Sequence, residues 1–372
     1  MTHDAPVAPD YVQRLAPYVP GKPIDDVARE LHLDPATIVK LASNENPRGP
    51  SAKVLAAIAA AAADVTRYPD GFGYHLKDAL VRRLGVAPNQ LVLGNGSNDI
   101  LELATMAYLR QGDAAVYSQH AFAVYPLATH ARGAQGIEVP ARDLGHDLAA
   151  MRAAITPNTR IVFVANPNNP TGTWIAPVAL EAFVASVPHD VLVVLDEAYN
   201  EYLEPADRAD SVGWIAKYPN LAVSRTFSKA YGLAALRIGY GVMNADVADM
   251  MNRVRQPFNV NALAQAAAIA ALADDAYVEE SRTLNKRGLA QLYAGLDALR
   301  VPYVRSHGNF VLAKVGDAAR INQSLLQHGV IVRPVASYGL PEYLRVSVGL
   351  PAENERFLAA LRESLAHGAA GR

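Results

Sequence analysis

The 372-residue sequence contains no cysteine, which excludes disulfide bonds, zinc sites built on thiolates and a cysteine nucleophile. It also has little net charge, because 34 basic residues nearly balance 36 acidic ones. Such a balance argues against binding to nucleic acid or to a membrane surface. No apolar run approaches the ~20 residues of a membrane span, and the N-terminal residues lack the pattern of a signal peptide.

The hydrophobic content and the pattern of strands and helices predict a folded, cytoplasmic protein with a small-molecule partner. Half of the sequence, 51%, is hydrophobic, which is enough for one large core or two. From about residue 90 to residue 195, apolar strands alternate with helices, a pattern typical of a parallel sheet covered on both faces. We therefore predict an α/β fold with a large domain at 41–272, whose central sheet is mainly parallel, and a smaller α+β domain at 273–372. Residues 1–40 are predicted to form an N-terminal arm, without a core element, and part of the small domain.

Lys229 stands in a Gly- and Ala-rich link between two apolar runs, at 221–223 and 238–242. A lysine in such a place can attack carbonyl groups when burial lowers its pKa, and enzymes that use pyridoxal 5′-phosphate (PLP) hold their cofactor with such a lysine. A surface lysine in a loop fits this stretch equally well. The other motifs have to decide between the two interpretations.

A second motif is an apolar run at 191–195 that ends in Asp196. Burying a carboxylate is costly unless it is paired, so Asp196 should have a cationic or hydrogen-bonding partner. The Walker-B strand of nucleotide triphosphatases has the same pattern, but this sequence lacks the accompanying Gly-rich loop that ends in Gly-Lys-Ser/Thr. A pyridinium nitrogen is the better partner, because a facing carboxylate keeps the ring protonated and able to accept electrons.

Two turns directly after predicted strands are further candidates for binding. Gly96, Ser97 and Asn98 lead into a helix, where free backbone amides and the helix dipole favour an anion. The run Asn-Pro-Asn-Asn-Pro-Thr-Gly at 166–172 begins where a parallel strand ends, which is the edge at which open α/β sheets bind ligands. An ordinary strand-to-helix turn and an ordinary Pro-Gly loop are the alternatives.

Together these motifs resemble the fold-type I PLP-dependent aminotransferases, and the match covers nearly the whole chain. The motifs stand in that family's order and spacing: 166–172, Asp196 and Tyr199, Ser228 and Lys229, Arg237. The resemblance implies that Lys229 forms the Schiff base with PLP and that Asp196 pairs with the pyridinium nitrogen. It also implies that Tyr199 and Asn169 hydrogen-bond the phenolic oxygen of the cofactor.

The same resemblance implies a phosphate site and an active site shared between two subunits. The residues that would hold the phosphate are Gly96, Ser97, Asn98, Ser228 and Arg237. Tyr68 would reach the phosphate from the other subunit, so the site would be complete only in a homodimer. Phe122 would stack over the cofactor, at a place where the family usually has a tyrosine, and Asn98 stands where an acidic residue is common.

Both ends of the chain are similar to the histidinol-phosphate aminotransferases within that family. The similar segments are 15–23, 41–47, 67–70, 307–310, 330–333 and 344–349. The similarity implies that Arg345 binds the carboxylate of glutamate in one half-reaction and the phosphate of histidinol phosphate in the other. Asn44 and Arg333 would also bind substrate, and Tyr18 would assist across the dimer. Surface ion pairs remain the alternative for both arginines, and a packing contact for Tyr18.

Three other functions share parts of this pattern. An aromatic amino-acid aminotransferase has the same frame and differs in its substrate. A threonine-phosphate decarboxylase of cobalamin synthesis is close in sequence but releases carbon dioxide. PLP-binding regulators usually carry a helix-turn-helix domain, and we expect no segment for one here. We therefore predict PLP-dependent transfer of the amino group from L-glutamate to imidazole acetol phosphate, as in histidine biosynthesis, without a metal ion.

Overall fold

The computed structural model describes residues 6–369, so residues 1–5 of the predicted arm and residues 370–372 of the predicted small domain lie outside the described residues. The described helices are α1 (Asp10–Gln13), α2 (Ile24–Leu31), α3 (Ala52–Ala61), α4 (Tyr74–Leu84), α5 (Ser97–Tyr108), α6 (Val124–His130), α7 (Leu148–Ala153), α8 (Pro177–Ser186), α9 (Ser211–Trp214), α10 (Ala245–Val254), α11 (Ala262–Leu272), α12 (Asp275–Ala298), α13 (Ala318–Gln327) and α14 (Pro351–Ala369).

The described strands are β1 (Val39–Lys40), β2 (Leu91–Gly94), β3 (Ala114–Ser118), β4 (Gln135–Val139), β5 (Thr159–Ala165), β6 (Leu192–Asp196), β7 (Leu221–Thr226), β8 (Gly239–Met243), β9 (Tyr303–Val304), β10 (Phe310–Lys314), β11 (Val330–Ile331), β12 (Arg333–Pro334) and β13 (Tyr343–Ser347). Seven of them form one sheet in the order β2-β8-β7-β6-β5-β3-β4. Only β8 runs antiparallel to its neighbours in this sheet. The predicted mainly parallel sheet is therefore present.

Both faces of the seven-stranded sheet are buried, as the central strand β6 shows. Val193 and Leu195 pack into a core with residues of α4, α8 and α11. Leu192 and Val194 pack on the opposite face with residues of α5, α6 and α10. Side chains alternate between the two faces of a strand, so a strand that is buried on both faces reads as one continuous apolar run.

A second sheet has four antiparallel strands in the order β12-β13-β10-β9. Leu344 and Val346 of β13 lie in its core with residues of α13 and α14. Arg345, between them, therefore lies on the other face of the strand. The two-residue strand β1 pairs with β11 in parallel, which attaches the N-terminal part of the chain beside this sheet.

Several sequence-based predictions of elements need correction. The sequence pattern predicts a helix over 100–108, whereas α5 begins at Ser97, and β4, α7 and α10 have no counterpart among the predicted elements. The apolar run at 330–332 predicts a single strand, but residues 330–334 form two short strands because β11 pairs with β1 whereas β12 pairs with β13. The arm is also part of the core: Val27 and Ala28 of α2 are buried against Leu326 and Ile331, because α2 presents an apolar face that needs cover.

Among residues 6–369, no helix combines the length and the hydrophobicity that a membrane crossing requires. The same part of the chain contains no group of three or more His, Cys, Asp or Glu side chains that could hold a metal ion.

Candidate active site

One pocket of about 200 Å³ collects most of the residues that the sequence singles out. The strand register explains the convergence, because Ala165 at the end of β5 pairs with Asp196 at the end of β6, and Asp196 pairs with Ser224 of β7. The loop at 166–172 and the link that carries Lys229 therefore begin at the same edge of the sheet. The predicted site residues that line the pocket are Tyr18, Asn44, Ser97, Asn98, Phe122, Asn169, Asp196, Tyr199, Ser228, Lys229, Arg237 and Arg345.

Lys229 lies in this pocket and is no surface lysine. Its Nζ donates a hydrogen bond to the backbone oxygen of Ser43 over 3.0 Å and lies 5.8 Å from the centre of the Tyr199 ring. Burial lowers the pKa of Lys229 to about 7, and the positive charge of Arg345 acts in the same direction. A substantial fraction of the amine is therefore neutral near pH ~7, which is the form that attacks carbonyl carbons and accepts protons.

Asp196 is 5% exposed and has the hydrogen-bonding partner that its burial requires. Tyr125 Oη donates to Asp196 Oδ2 over 3.0 Å, and the backbone N–H of Ala198 donates to Oδ1 over 3.3 Å. Burial raises the pKa of Asp196 to about 6, and the two hydrogen bonds oppose this rise. The sequence analysis required such a partner but did not find Tyr125.

An anion-binding cradle lies at the N-terminus of α5. Gly96 has φ +77°, and a Cβ at this position would lie 2.5 Å from Nη2 of Arg237, so a side chain here would displace the guanidinium. Arg237 donates to Ser228 Oγ over 3.2 Å and to the backbone oxygen of Asn95 over 3.2 Å. The arrangement brings a guanidinium, a serine hydroxyl and the helix N-terminus together, and these groups favour a phosphate.

Hydrogen bonds join the asparagines of the pocket to their neighbours. Asn44 Nδ2 donates to Tyr199 Oη over 2.9 Å, which leaves the Tyr199 hydroxyl proton free to donate. Arg345 Nη1 donates to Asn169 Oδ1 over 2.6 Å, which leaves the Asn169 NH2 group free to donate. Burial raises the pKa of Tyr199 to about 12, so its phenol stays protonated. The sequence analysis did not predict Ser347, whose Oγ accepts from the Asn44 backbone N–H over 2.8 Å.

Arg345 and Arg333 form a positively charged wall. They pair directly across β13 and β12, and both are buried, at 6% and 8% exposure. Arg345 Nη2 donates to the backbone oxygen of Ala42 over 2.6 Å, while its Nε is buried without a hydrogen-bond partner among the described residues. Like charges on directly opposed residues destabilise a sheet, and a buried donor without an acceptor is costly. An anion bound here would relieve both.

Three predicted residues, Gly96, Arg333 and Tyr68, are not among those that line the pocket, whereas Tyr18 lines it from the same chain. Arg333 is not among the lining residues; its guanidinium lies 5.3 Å from the centre of the Tyr18 ring. Tyr18 lines the pocket of its own chain, so no second subunit is needed to bring it there. Tyr68 is 83% exposed and stacks on Phe258 with ring centres 4.9 Å apart.

Comparison with known proteins identifies the family to which the chain belongs. The family model for aminotransferase class I and II matches residues 36–361. The chain belongs to this family. The predicted class of enzyme, a transferase of amino groups, is thereby confirmed.

Two relatives from this aminotransferase family cover nearly the whole chain. Histidinol-phosphate aminotransferase 1 of Thiobacillus denitrificans is 63% identical over 97% of this chain and 94% of its own. Histidinol-phosphate aminotransferase 2 of Pseudomonas fluorescens is 62% identical over 96% of this chain and 97% of its own. A solved structure, the histidinol-phosphate aminotransferase of Sinorhizobium meliloti in complex with pyridoxal-5′-phosphate, is 31% identical and superposes with a TM-score of 0.89 over 96% of this chain and 97% of that one. The predicted fold type is confirmed.

Proposed function

We propose that this aminotransferase moves the amino group of L-glutamate to imidazole acetol phosphate, giving L-histidinol phosphate and 2-oxoglutarate, with PLP as its cofactor. One observation carries the proposal: a lysine, a buried carboxylate, a phosphate cradle and Arg345 meet in one pocket, with Arg333 opposite Arg345 on the neighbouring strand. Relatives that bear the name histidinol-phosphate aminotransferase, at up to 63% identity, support the substrate.

The donor groups of the pocket fit PLP. The cradle of Ser97, Ser228 and Arg237 suits its phosphate, and the buried carboxylate of Asp196 suits a cationic ring nitrogen. Lys229 supplies an amine for its aldehyde. When bound, PLP supplies an electron-accepting ring that stabilises negative charge at the substrate α-carbon.

Residues of the chain itself would transfer the proton, stabilise the charge of the ring nitrogen and donate hydrogen bonds. Nζ of Lys229 takes the proton from the α-carbon of the bound amino acid, because its lowered pKa makes the neutral amine available at physiological pH. Asp196 holds the positive charge of the ring nitrogen in place. Tyr199 and Asn169 each keep a free proton that can be donated to a ligand oxygen, since Asn44 and Arg345 occupy their other positions.

The arginine wall would bind the substrate anion. Arg345 lines the pocket, its buried Nε has no acceptor among the described residues, and its planar fork suits carboxylate as well as phosphate. Arg333 adds a second positive charge directly across the strand pair, which suits the doubly charged phosphate of histidinol phosphate. Tyr18 would cover the site at its mouth, held by Arg333.

A single-turnover experiment tests the substrate assignment. The PLP-bound enzyme is mixed separately with histidinol phosphate, glutamate and phenylalanine, and the cofactor absorbance is followed. We expect rapid conversion by the first two and a rate ~100-fold lower with phenylalanine, a difference of ~2.7 kcal/mol in activation free energy. Equal or faster conversion by phenylalanine would make the protein an aromatic aminotransferase, and carbon dioxide release from threonine phosphate would make it a decarboxylase.

We further propose a homodimer in which Tyr68 of each subunit completes the site of the other. An exposed aromatic surface supports it: Tyr68 is 83%, Phe72 80%, Tyr74 69% and Phe258 46% exposed. Tyr68 and Phe258 stack on each other, and an exposed apolar patch is typical of an interface between proteins. A two-fold axis would bury the same patch on both copies.

Subunit mixing tests the shared site. Lys229→Ala and Tyr68→Ala proteins, each of low activity alone, are unfolded together and refolded as a mixture. If Tyr68 acts across the interface, each hybrid dimer has one intact site, and about one quarter of the wild-type activity returns. If Tyr68 acts within its own chain, each hybrid has only singly damaged sites and no activity returns beyond the sum of the two variants.

We also propose the division into a large domain at 41–272 and a small one at 273–372, with residues before 41 attached to the small one. The separate sheets at 91–243 and 303–347 and the pairing of β1 with β11 support it, and limited proteolysis followed by mass spectrometry tests it. A cytoplasmic location, which the cysteine-free composition favours, is tested by cell fractionation.

A further inference from the structure

The carboxylate of Asp196 is held by a side chain that the steps described so far do not use. Tyr125 Oη donates to Asp196 Oδ2 over 3.0 Å, and within residues 6–369 this hydroxyl makes no other hydrogen bond. We propose that Tyr125 is a positioning residue, which orients the carboxylate of Asp196 and keeps it ionised for the ring nitrogen of the cofactor. The inference rests on the proposed function in so far as that function assigns PLP to the pocket.

Tyr125 is fixed in place by its neighbours. Its side chain is fully buried, and its ring stacks on Phe163 with centres 4.7 Å apart and planes at 6°. The edge of Phe122 meets it at 6.0 Å and 87°. Contacts with aromatic rings on two sides fix the orientation of the Tyr125 ring, and so the position of its hydroxyl. The donor is therefore already positioned before a cofactor binds.

The direction of the hydrogen bond follows from burial. Burial raises the pKa of Tyr125 well above its usual value, so the phenol stays protonated and can only donate to the carboxylate. Donation favours the ionised form of Asp196, against the burial that raises the pKa of Asp196 to about 6. Asp196 belongs to the face of β6 that packs into the same apolar core as Tyr125.

The backbone N–H of Ala198 and the charged side chains of Glu197 and Lys229 also act on this carboxylate. Glu197, next along the chain, raises the pKa of Asp196, and Lys229 lowers it. Tyr199 lies in the same pocket and stays protonated. Removing the hydroxyl of Tyr125 leaves all of these groups in place. Any change in the titration of Asp196 can then be assigned to the lost hydrogen bond.

The test is Tyr125→Phe in the PLP-bound enzyme, which removes one oxygen atom and keeps both ring contacts. We expect kcat to fall ~10-fold with KM within ~2-fold, and the acid limb of the kcat profile to move up by roughly 0.5–1 pH unit. The midpoint of the pH-dependent cofactor absorbance should also move upward by ~0.5 unit or more, because a less ionised Asp196 leaves the ring less cationic.

Two controls make these readouts specific. Tyr117 is a buried tyrosine of the same core cluster and makes no hydrogen bond to Asp196, so Tyr117→Phe should leave the absorbance midpoint and both pH limbs unchanged. In an Asp196→Asn background, Tyr125→Phe should change kcat by less than ~2-fold, since a residue that acts through Asp196 has nothing left to act on.

The outcomes separate the inference from the proposed function. The absorbance titration needs no amino-acid substrate, so it tests Tyr125 whichever amino acid the enzyme prefers. An unchanged midpoint and kcat in Tyr125→Phe would overturn the inference. So would equal losses of kcat in the wild-type and Asp196→Asn backgrounds, because the hydroxyl would then act independently of the carboxylate.

Discussion

The two walls of the pocket differ in how their charged groups are held. On the seven-stranded sheet, Asp196 and Lys229 lie at or just after the ends of adjacent strands, and burial moves the pKa of one to about 6 and that of the other to about 7. On the four-stranded sheet, Arg333 and Arg345 face each other across a strand pair, and Tyr18, at the mouth of the pocket, is half exposed.

We expect the two sets of charged groups to have different tasks: those on the seven-stranded sheet take part in the chemistry, and those on the four-stranded sheet recognise the substrate. In the proposed function Lys229 gains and loses a proton near neutral pH, and burial together with the charge of Arg345 brings its pKa to about 7. Groups that bind a substrate anion need a permanent charge, which arginine supplies. Changes in the first wall should therefore lower kcat, whereas changes in the second should act through substrate binding.

The largest effect is expected for Lys229→Ala. With Lys229 as the proposed attachment point of the cofactor and base for the α-proton, kcat should fall by ~10⁴-fold or more when the amine is removed. Steady-state kinetics and the absorbance of the purified protein measure this. Lys217→Ala, at an exposed lysine paired with Glu181, is the matched control and should behave as wild type. Activity of the Lys229 variant above ~1% would show that another base takes the proton.

Arg345→Lys is expected to have the next largest effect. Lysine keeps the charge but cannot contact Asn169, the Ala42 carbonyl and a substrate anion together. We expect kcat/KM for both glutamate and histidinol phosphate to fall ~100-fold, which is ~2.7 kcal/mol, with normal cofactor absorbance. Loss of cofactor binding in this variant would instead show that Arg345 helps to hold the cofactor, as the residues of the seven-stranded sheet are expected to do.

The cofactor-free protein should show a pH-dependent stability that originates from Lys229. Its pKa is about 7 in the folded protein and near the ordinary 10.5 when unfolded. Between these values the unfolded chain binds more protons, so the free energy of unfolding rises with pH, by up to ~1.4 kcal/mol per unit. Asp196 has its window between 3.8 and about 6, where stability falls as pH rises, and so does not contribute above pH ~7.

Urea denaturation of the cofactor-free protein at about pH 7.5 and about pH 9 measures this rise, with Lys229→Met as the control that lacks the titrating group. The wild type should gain ~2 kcal/mol more than the variant between the two pH values. Equal gains in both proteins would mean that Lys229 keeps an ordinary pKa when folded.

The smallest effect is expected for Tyr18→Ala. Tyr18 is 50% exposed, and its contact with the Arg333 guanidinium spans 5.3 Å. We expect KM for histidinol phosphate to rise ~5-fold, about 1 kcal/mol, with kcat nearly unchanged. Tyr18→Phe keeps the ring under the guanidinium and should retain most of the affinity. A fall in kcat without a change in KM would contradict the division between the two walls.

The same division decides what the sequence could predict. Asp196, Lys229 and the loop at 166–172 follow strands of one parallel sheet, so the order of motifs along the chain was enough to bring them together. The contact between Tyr125 and Asp196 crosses 71 residues, and that between Asn44 and Ser347 crosses 303. Neither contact could be predicted from a periodic hydrophobic pattern or from a sequence motif.

The errors in the fold have a related cause. Residues 330–334 form two strands because their partners, β1 and β13, belong to different sheets, and strand pairing is not encoded in a short apolar run. The prediction of an arm without a core element is wrong because the periodicity of α2 carries a buried face that includes Val27.

Two hydrogen bonds described above cross from one wall to the other: Arg345 to Asn169, and Asn44 to Tyr199. Each joins a residue that would contact substrate to one that would contact cofactor. A chimaera that takes 39–47 and 303–347 from a distant relative and keeps 159–199 from this chain would break such pairs wherever the two parents differ. The two members of each pair should therefore come from the same parent. Segments for recombination are better chosen so that they carry both.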